Sequence, residues 1–153
     1  MRAKRAALVF FLSGMLLGFM ACSVSDHAES LYIELPQNGW AYKDTLAFYP
    51  AYNRVRSASV TVAVDHSPLY KYNNLWLEIS TIDERDSIVR DTLQIFLCDS
   101  TGNWTGTGIA SNYQTVSHPV EMNLNSNPMY LRHIMRTDTL RYINRIGVFF
   151  SPD

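Results

Sequence analysis

The sequence predicts an all-β protein, an antiparallel β-sandwich of jelly-roll or immunoglobulin-like type with about eight strands. Three observations carry that expectation. Period-two alternation of apolar and polar residues recurs along the chain, turn-forming residues fall between the alternating runs, and convincing helical periodicity is almost absent. With no crossover helices to bridge parallel strands, the strands must pair antiparallel and pack face to face. An open-ended barrel is the nearest alternative.

The elements follow in order. Leu31 to Leu35 and Thr45 to Tyr49 read as strands, separated by the turn residues Pro36, Asn38 and Gly39. Val60, Val62 and Val64 point one way, with Ser59, Thr61, Ala63 and Asp65 the other, which describes a half-buried strand ending at His66-Ser67-Pro68. Leu75, Leu77 and Ile79 alternate with Trp76, Glu78 and Ser80; Asp83-Glu84-Arg85-Asp86 then makes a charged turn, and the chain returns through Ile88 to Leu97, so the pair is a hairpin. Asp99 to Asn103 is a further turn. Trp104 to Ala110 is rich in small residues and reads as an irregular or bulged edge. Val116 to Leu124, Met129 to Met135 and Arg145 to Phe150 complete the strands, with Asn125 to Pro128 and Asn144 as turn or strand-end material.

The first residues have another character. Arg2, Lys4 and Arg5 precede an apolar run from Ala6 to Met20, which closes on Ala21 and Cys22. This is the pattern of an export signal ending on a cysteine. A small residue directly before the cysteine is what lipoprotein signal peptidase cuts, so cleavage between Ala21 and Cys22 would leave Cys22 as the lipidated N-terminus. The run Phe19-Met20-Ala21-Cys22 departs from the usual lipobox in its aromatic first residue and large second one. An ordinary secretory signal is the alternative. The run is too short, and too interrupted by Ser13, Gly14 and Gly18, for a spanning helix, which needs about 20 apolar residues. The organisation expected is therefore a lipoprotein signal at 1–21, a lipidated tether at 22–30 and a single β-sandwich domain at 31–153.

Composition narrows the function. Thirteen basic residues less the three in the signal leave ten against fourteen acidic ones, a balance of −4 for residues 22–153. That charge and the exported compartment exclude a nucleic-acid partner. With Cys22 acylated, Cys98 is the remaining thiol, so no intramolecular disulfide is expected and the fold relies on its core. Cys98 itself reads as a thiol at a strand end.

No catalytic constellation is found: Gly-x-Ser-x-Gly, His-Glu-x-x-His, a phosphate-binding loop and Cys-x-x-Cys are all missing, and His27, His66, His118 and His133 are scattered. Asp99 to Asn103 has oxygen-bearing side chains but neither the spacing nor the terminal Glu of a calcium loop, so no metal is expected there, and no cofactor anywhere. Asp83, Glu84 and Asp86, with Arg85 among them, suit a solvated hairpin tip. His133 shares a strand face with Met129, Leu131 and Met135, so its imidazole points to the core and needs a backbone or water partner there. Nine Tyr, seven Phe and three Trp exceed what the core alone requires. Tyr49, Tyr52, Tyr70 and Tyr72 flank the Val60 strand and, with Trp76 or Trp104, would offer stacking surfaces for a glycan or a protein partner.

An ordered set of short elements runs from about Tyr32 to Phe150. Trp40 precedes Lys43-Asp44 and Phe48; Tyr72-Asn73-Asn74-Leu75-Trp76-Leu77 opens a strand; Asp91-Thr92-Leu93 precedes Gly102-Asn103-Trp104-Thr105-Gly106-Thr107-Gly108; and Met135-Arg136 leads to Leu140, Ile143 and Ile146-Gly147-Val148. In this order, behind a lipobox, the chain resembles the GldH gliding-motility lipoprotein family of the Bacteroidetes. It departs from the family pattern at His133, where Gln is expected, at Ile134, where a small residue is, and at Arg145-Ile146 before Gly147. The resemblance implies an envelope lipoprotein acting near the machinery of gliding and type IX secretion. Its shared residues (Trp40, Asp44, Asn74, Leu75, Gly102, Trp104, Gly106, Gly108, Met135, Arg136 and Gly147) are strand, turn and glycine positions, not a reactive set. The expected function is a non-catalytic protein-interaction module, held by the lipid on Cys22 at the periplasmic face of the outer membrane, with unidentified envelope proteins as partners. A glycan-binding module is the alternative.

Overall fold

The computed structural model describes residues 29–51, 57–109, 111–124 and 127–152. Within them every regular element is a strand: β1 Glu29–Glu34, β2 Trp40–Ala41, β3 Leu46–Phe48, β4 Ser57–His66, β5 Asn74–Ile82, β6 Ile88–Phe96, β7 Thr107–Ile109, β8 Asn112–Val116, β9 Val120–Asn123, β10 Met129–His133, β11 Thr139–Leu140 and β12 Ile143–Pro152. One sheet runs β1-β12-β4-β8-β7, with β9 following β8 along the same edge of β4; the second runs β3-β10-β5-β6, and β2 pairs with β11. All pairings are antiparallel.

The alternation read from the sequence sets the two inner faces. Val60, Val62, Val64, Ile146, Val148 and Phe150 come from the six-stranded sheet; Leu75, Leu77, Ile79, Leu93, Ile95, Met129 and Leu131 come from the four-stranded one. They form one cluster, all buried. Burying a side chain of this kind stabilises the fold by about 1.5–3 kcal/mol, and this shared cluster is what holds the sheets together as a β-sandwich.

The strand boundaries differ from the sequence reading in four places. Twelve short strands replace about eight, mainly because β2, β7 and β11 are two or three residues long and carry no readable period. Of the run Val116 to Leu124 only Val120–Asn123 forms a strand, β9; β8, at Asn112–Val116, lies before it and shares only Val116 with the expected strand, the two being parted at Ser117-His118-Pro119. Pro119 has no N–H to give a ladder, and Ser117 bridges the gap by bonding Val62 through both its N–H (2.8 Å) and its Oγ (3.0 Å). The Trp104 to Ala110 segment is an edge as expected, but it includes the regular strand β7. Finally, β1 starts at Glu29, inside the segment assigned to the tether, because Glu29 and Ser30 pair through their backbones with Phe150 and Phe149 and need no apolar side chain to do so.

Strand β4 is also more enclosed than a half-buried strand. Its last four residues, Ala63 to His66, are buried whichever face they point to. On the outer face a polar row crosses five strands in register, Glu34–Arg145–Asp65–Gln114–Thr107, and covers Asp65.

Candidate functional site

Cys22, Ala21, His27 and Tyr52 lie outside the described residues. The motif positions within them are placed as follows. Trp40 is buried in the core, and its indole Nε1–H donates to the carbonyl oxygen of Asp44 at 3.0 Å, closing a turn in which Asp44 N–H bonds Ala41 O at 2.9 Å. Asp44 thus contributes backbone there, while its side chain is exposed. Asn74 opens β5, and its carbonyl accepts the Tyr70 hydroxyl at 3.2 Å, while Leu75 is fully buried beside it. Met135 Sδ accepts the Trp76 N–H at 3.3 Å, and Arg136 is exposed.

Asp99 organises its own turn. Its Oδ1 accepts the N–H groups of Thr101 (2.8 Å) and Asn103 (2.9 Å) and the Thr101 hydroxyl (2.7 Å), and Gly102 takes the left-handed φ of 87° that the turn needs. These bonds, the Thr101 hydroxyl first, hold the Asp99 carboxyl down at about 2. Among the described residues no group of three or more His, Cys, Asp or Glu is placed to hold a metal ion. Cys98 ends the hairpin beside the Trp104 bridge, partly exposed, its thiol pushed up by burial and then by Asp99.

Trp104 closes one end of the core against His66, ring centres 4.6 Å apart, with Tyr113 and Tyr70 packed round the same imidazole. Gly106 and Gly108 let the edge come close to β8: a β-carbon at 106 would stand 2.5 Å from Gln114 O, and one at 108 would run into Asn112 O. Gly147 lies under the ring of Tyr32, which occupies the space a side chain would take.

Both inward-facing histidines are fully buried. His133 Nε2 donates to Trp40 O at 3.1 Å and His66 Nδ1 to Ser67 O at 3.1 Å, while His133 Nδ1 and His66 Nε2 have no hydrogen-bond partner among the described residues. Each ring therefore sits neutral in one tautomer. Burial pushes both below the ordinary imidazole range, against smaller opposing effects of the backbone bonds and of Asp65 and Asp44.

The tyrosine cluster divides. Tyr70 is 4% exposed and belongs to the core, so it offers no face for stacking; burial raises its hydroxyl far above the usual range. Tyr72 packs edge-on to it at 5.6 Å and remains exposed, as does Tyr49. Trp76 is partly exposed on the outer face of the four-stranded sheet, where Glu78 on the same face is held by Arg132 (Nε to Oε1 2.9 Å) and more loosely by Arg90 (3.7 Å).

Two features had no signal in the sequence. One is the long edge of β6, unpaired among the described residues. The other is a cleft where Lys71 and Tyr72 meet Thr137, Thr139, Arg141 and Tyr142, drawn from loops far apart in the chain.

The model of the GldH lipoprotein family matches residues 28–149. No curated protein matches the chain. Among solved structures, dimeric latent PorU from Porphyromonas gingivalis aligns at a TM-score of 0.43 and 14% identity, over 89% of this chain and 14% of that one. The VP2 subviral particle of infectious bursal disease virus aligns at 0.31 and 12%, over 82% and 31%. The chain thus spans a small part of either protein. With its family elements placed on the strands and turns of one sandwich, the chain belongs to the GldH lipoprotein family, whose members are components of gliding motility.

Proposed function

We propose that this chain is a non-catalytic interaction module, tethered through lipid on Cys22 to the periplasmic face of the outer membrane, that docks a protein of the gliding and type IX secretion envelope machinery. One acyl chain would hold it only reversibly, whereas the two or three of a bacterial lipoprotein anchor it stably. The stretch Cys22-Ser23-Val24-Ser25 carries no acidic run of the sort found on surface-exported lipoproteins of this group, which favours the periplasmic side.

The observation that carries the docking role is the edge of β6. It is nine residues long, pairs with β5 in unbroken register and has no strand on its other side among the described residues, where the one side-chain contact to its backbone from another segment is the Thr105 hydroxyl on Phe96 O at 3.1 Å. Ile88 (57%), Val89 (48%) and Phe96 (60%) are exposed along it. Proteins usually blunt such an edge with proline, lysine or a bulge. Here Arg90 and Asp91 are the only charges, and one edge N–H, that of Thr92, is held by Asp91 Oδ1 at 2.7 Å. An extended segment of a partner can add to this edge through backbone bonds.

A photo-crosslinking residue at Gln94 tests this in intact cells. It should capture an envelope protein, and Arg90→Pro, which removes an N–H on the same edge as that of Thr92 but not held by a side chain, should abolish the capture without lowering the melting temperature appreciably. Capture that survives Arg90→Pro would refute docking at this edge.

A further inference from the structure

The cleft at the end of the sandwich carries an inference that is independent of the β6 edge. Its two walls are the loop after β4 and the segment around β11. They are joined by Ser67 N–H donating to Tyr142 O at 2.9 Å. Tyr142 adopts φ 70°, a left-handed conformation that is costly for a bulky side chain and that persists only where surrounding structure enforces it. Leu140 and Ile143, buried on either side, supply that enforcement. The opposite wall is equally fixed, since Tyr72 rests edge-on against core-bound Tyr70. The Tyr72 ring is thereby held beside the opening, and Tyr142 carries a second phenol there on a constrained backbone, each about 40% exposed.

The charges of the lining are one-sided. Among the described residues Arg90, Arg132 and Arg145 each have a carboxylate partner, Lys43, Arg85 and Arg136 have none, and neither have Lys71 and Arg141. Both line this cleft, with Thr137 and Thr139 and no acidic residue; Asp138, between the threonines in sequence, is not part of the lining. Two like charges brought to one concavity repel each other, and a bound anion relieves that repulsion. The volume, about 280 Å³, lies just under the ~300 Å³ at which small-molecule sites begin, which suits a single sugar residue.

The geometry points to a binding site for an acidic saccharide: a sugar ring stacked on Tyr72 or Tyr142, its carboxylate or phosphate between Lys71 and Arg141, and its hydroxyls on Thr137 and Thr139. The aromatic rings supply the apolar face that a bare anion does not need, and the cations supply what a neutral sugar does not need.

Titration calorimetry of the full lipidated chain in neutral detergent tests it, with a hyaluronan tetrasaccharide as the acidic probe, chitotetraose as the neutral one and inorganic phosphate as the bare anion. Saturable binding of the acidic probe is expected, at least tenfold tighter than either comparator. Lys71→Gln with Arg141→Gln should weaken it at least tenfold, as should Tyr72→Ala, with melting temperatures unchanged for the exposed charge variants. Three results would overturn the site: no saturable binding of the acidic probe, equal affinity for chitotetraose or phosphate, or full affinity in the double variant.

Discussion

Arg145 on β12 reaches across the outer face of the six-stranded sheet to Asp65 on β4, with Nε 2.7 Å from Oδ2. Asp65 is almost fully buried there, and its other oxygen accepts Gln114 Nε2 at 2.7 Å. Tyr32 lies over the guanidinium, 4.5 Å from its ring centre, and Glu34 approaches it at 3.8 Å. The carboxylate is thus enclosed by its own partners, which is why a charged residue can sit in a sheet at all.

Removing the cation alone leaves that charge stranded. Arg145→Ala should cost about 2 kcal/mol, below the ~3–5 of a fully buried pair because Arg145 is over a third exposed and Gln114 still donates. Asp65→Asn with Arg145→Ala should recover part of the loss. Equilibrium urea denaturation measures both, and a double variant no more stable than Arg145→Ala would show that the buried charge is not what costs.

Tyr32 and Gly147 form a second such dependence, facing each other on β1 and β12. The ring fills the glycine's empty face and packs edge-on to Phe149 at 5.8 Å. Gly147→Ala should therefore cost about 1–3 kcal/mol through overcrowding, but much less in a Tyr32→Ala background. A double-mutant cycle reads the difference. Additive costs would mean the backbone, not the ring, excludes a side chain at 147.

The strands whose one face meets the core were legible because burial and period coincide: Val60, Val62 and Val64, or Leu75, Leu77 and Ile79, can pack inward only as a strand. The same logic placed His133 in the core. It could not see that Ile88 and Val89, apolar and adjacent, would both be exposed on the free edge of β6. Nor could it see β2 and β11, whose two-residue pairing is fixed by Trp40 and Leu140 packing into the core. The stacking role assigned to Tyr70 failed for a related reason: its ring is drawn under the loop by the hydroxyl bond to Asn74 O, a contact no local pattern encodes. The left-handed Tyr142 is hidden further, since sequence flags that conformation only at Gly, Asn or Asp.

Trp104→Ala should destabilise the domain by about 2–3 kcal/mol, less than the ~3–5 of a fully buried tryptophan because the ring is only partly covered. Gly106→Val should be at least as damaging, since its β-carbon would meet the backbone of Gln114 and that neighbour cannot swing aside. Thermal melts of both variants are the check. Wild-type melting in either would mean that this segment is not anchored to β8.

Cys22→Ala should abolish lipidation and move the protein from the membrane to the soluble fraction. Its melting temperature should not change, because the core cluster of the described residues is built from Leu31 onward. Fractionation and intact-mass measurement decide it. An unmodified Cys22 on membrane-bound wild-type protein would defeat the anchoring proposal.

The buried imidazoles predict an acid-sensitive fold. In the unfolded chain His66 and His133 take up protons as pH falls through about 6.5. In the folded chain burial depresses both, so the unfolded state binds more protons and stability is lost as pH falls from about 6.5 toward the folded values. The slope can reach about 1.4 kcal/mol per pH unit for each histidine in that window. Protonation would place a new N–H at His66 Nε2 or His133 Nδ1, where no acceptor is present among the described residues. His133→Gln can keep the bond to Trp40 O through its amide and has no proton to gain, so it should fold normally and flatten the slope by one histidine's share. Denaturation midpoints between pH 7 and 5 for the wild type and His133→Gln measure this. Equal slopes would show that His133 does not carry the acid response.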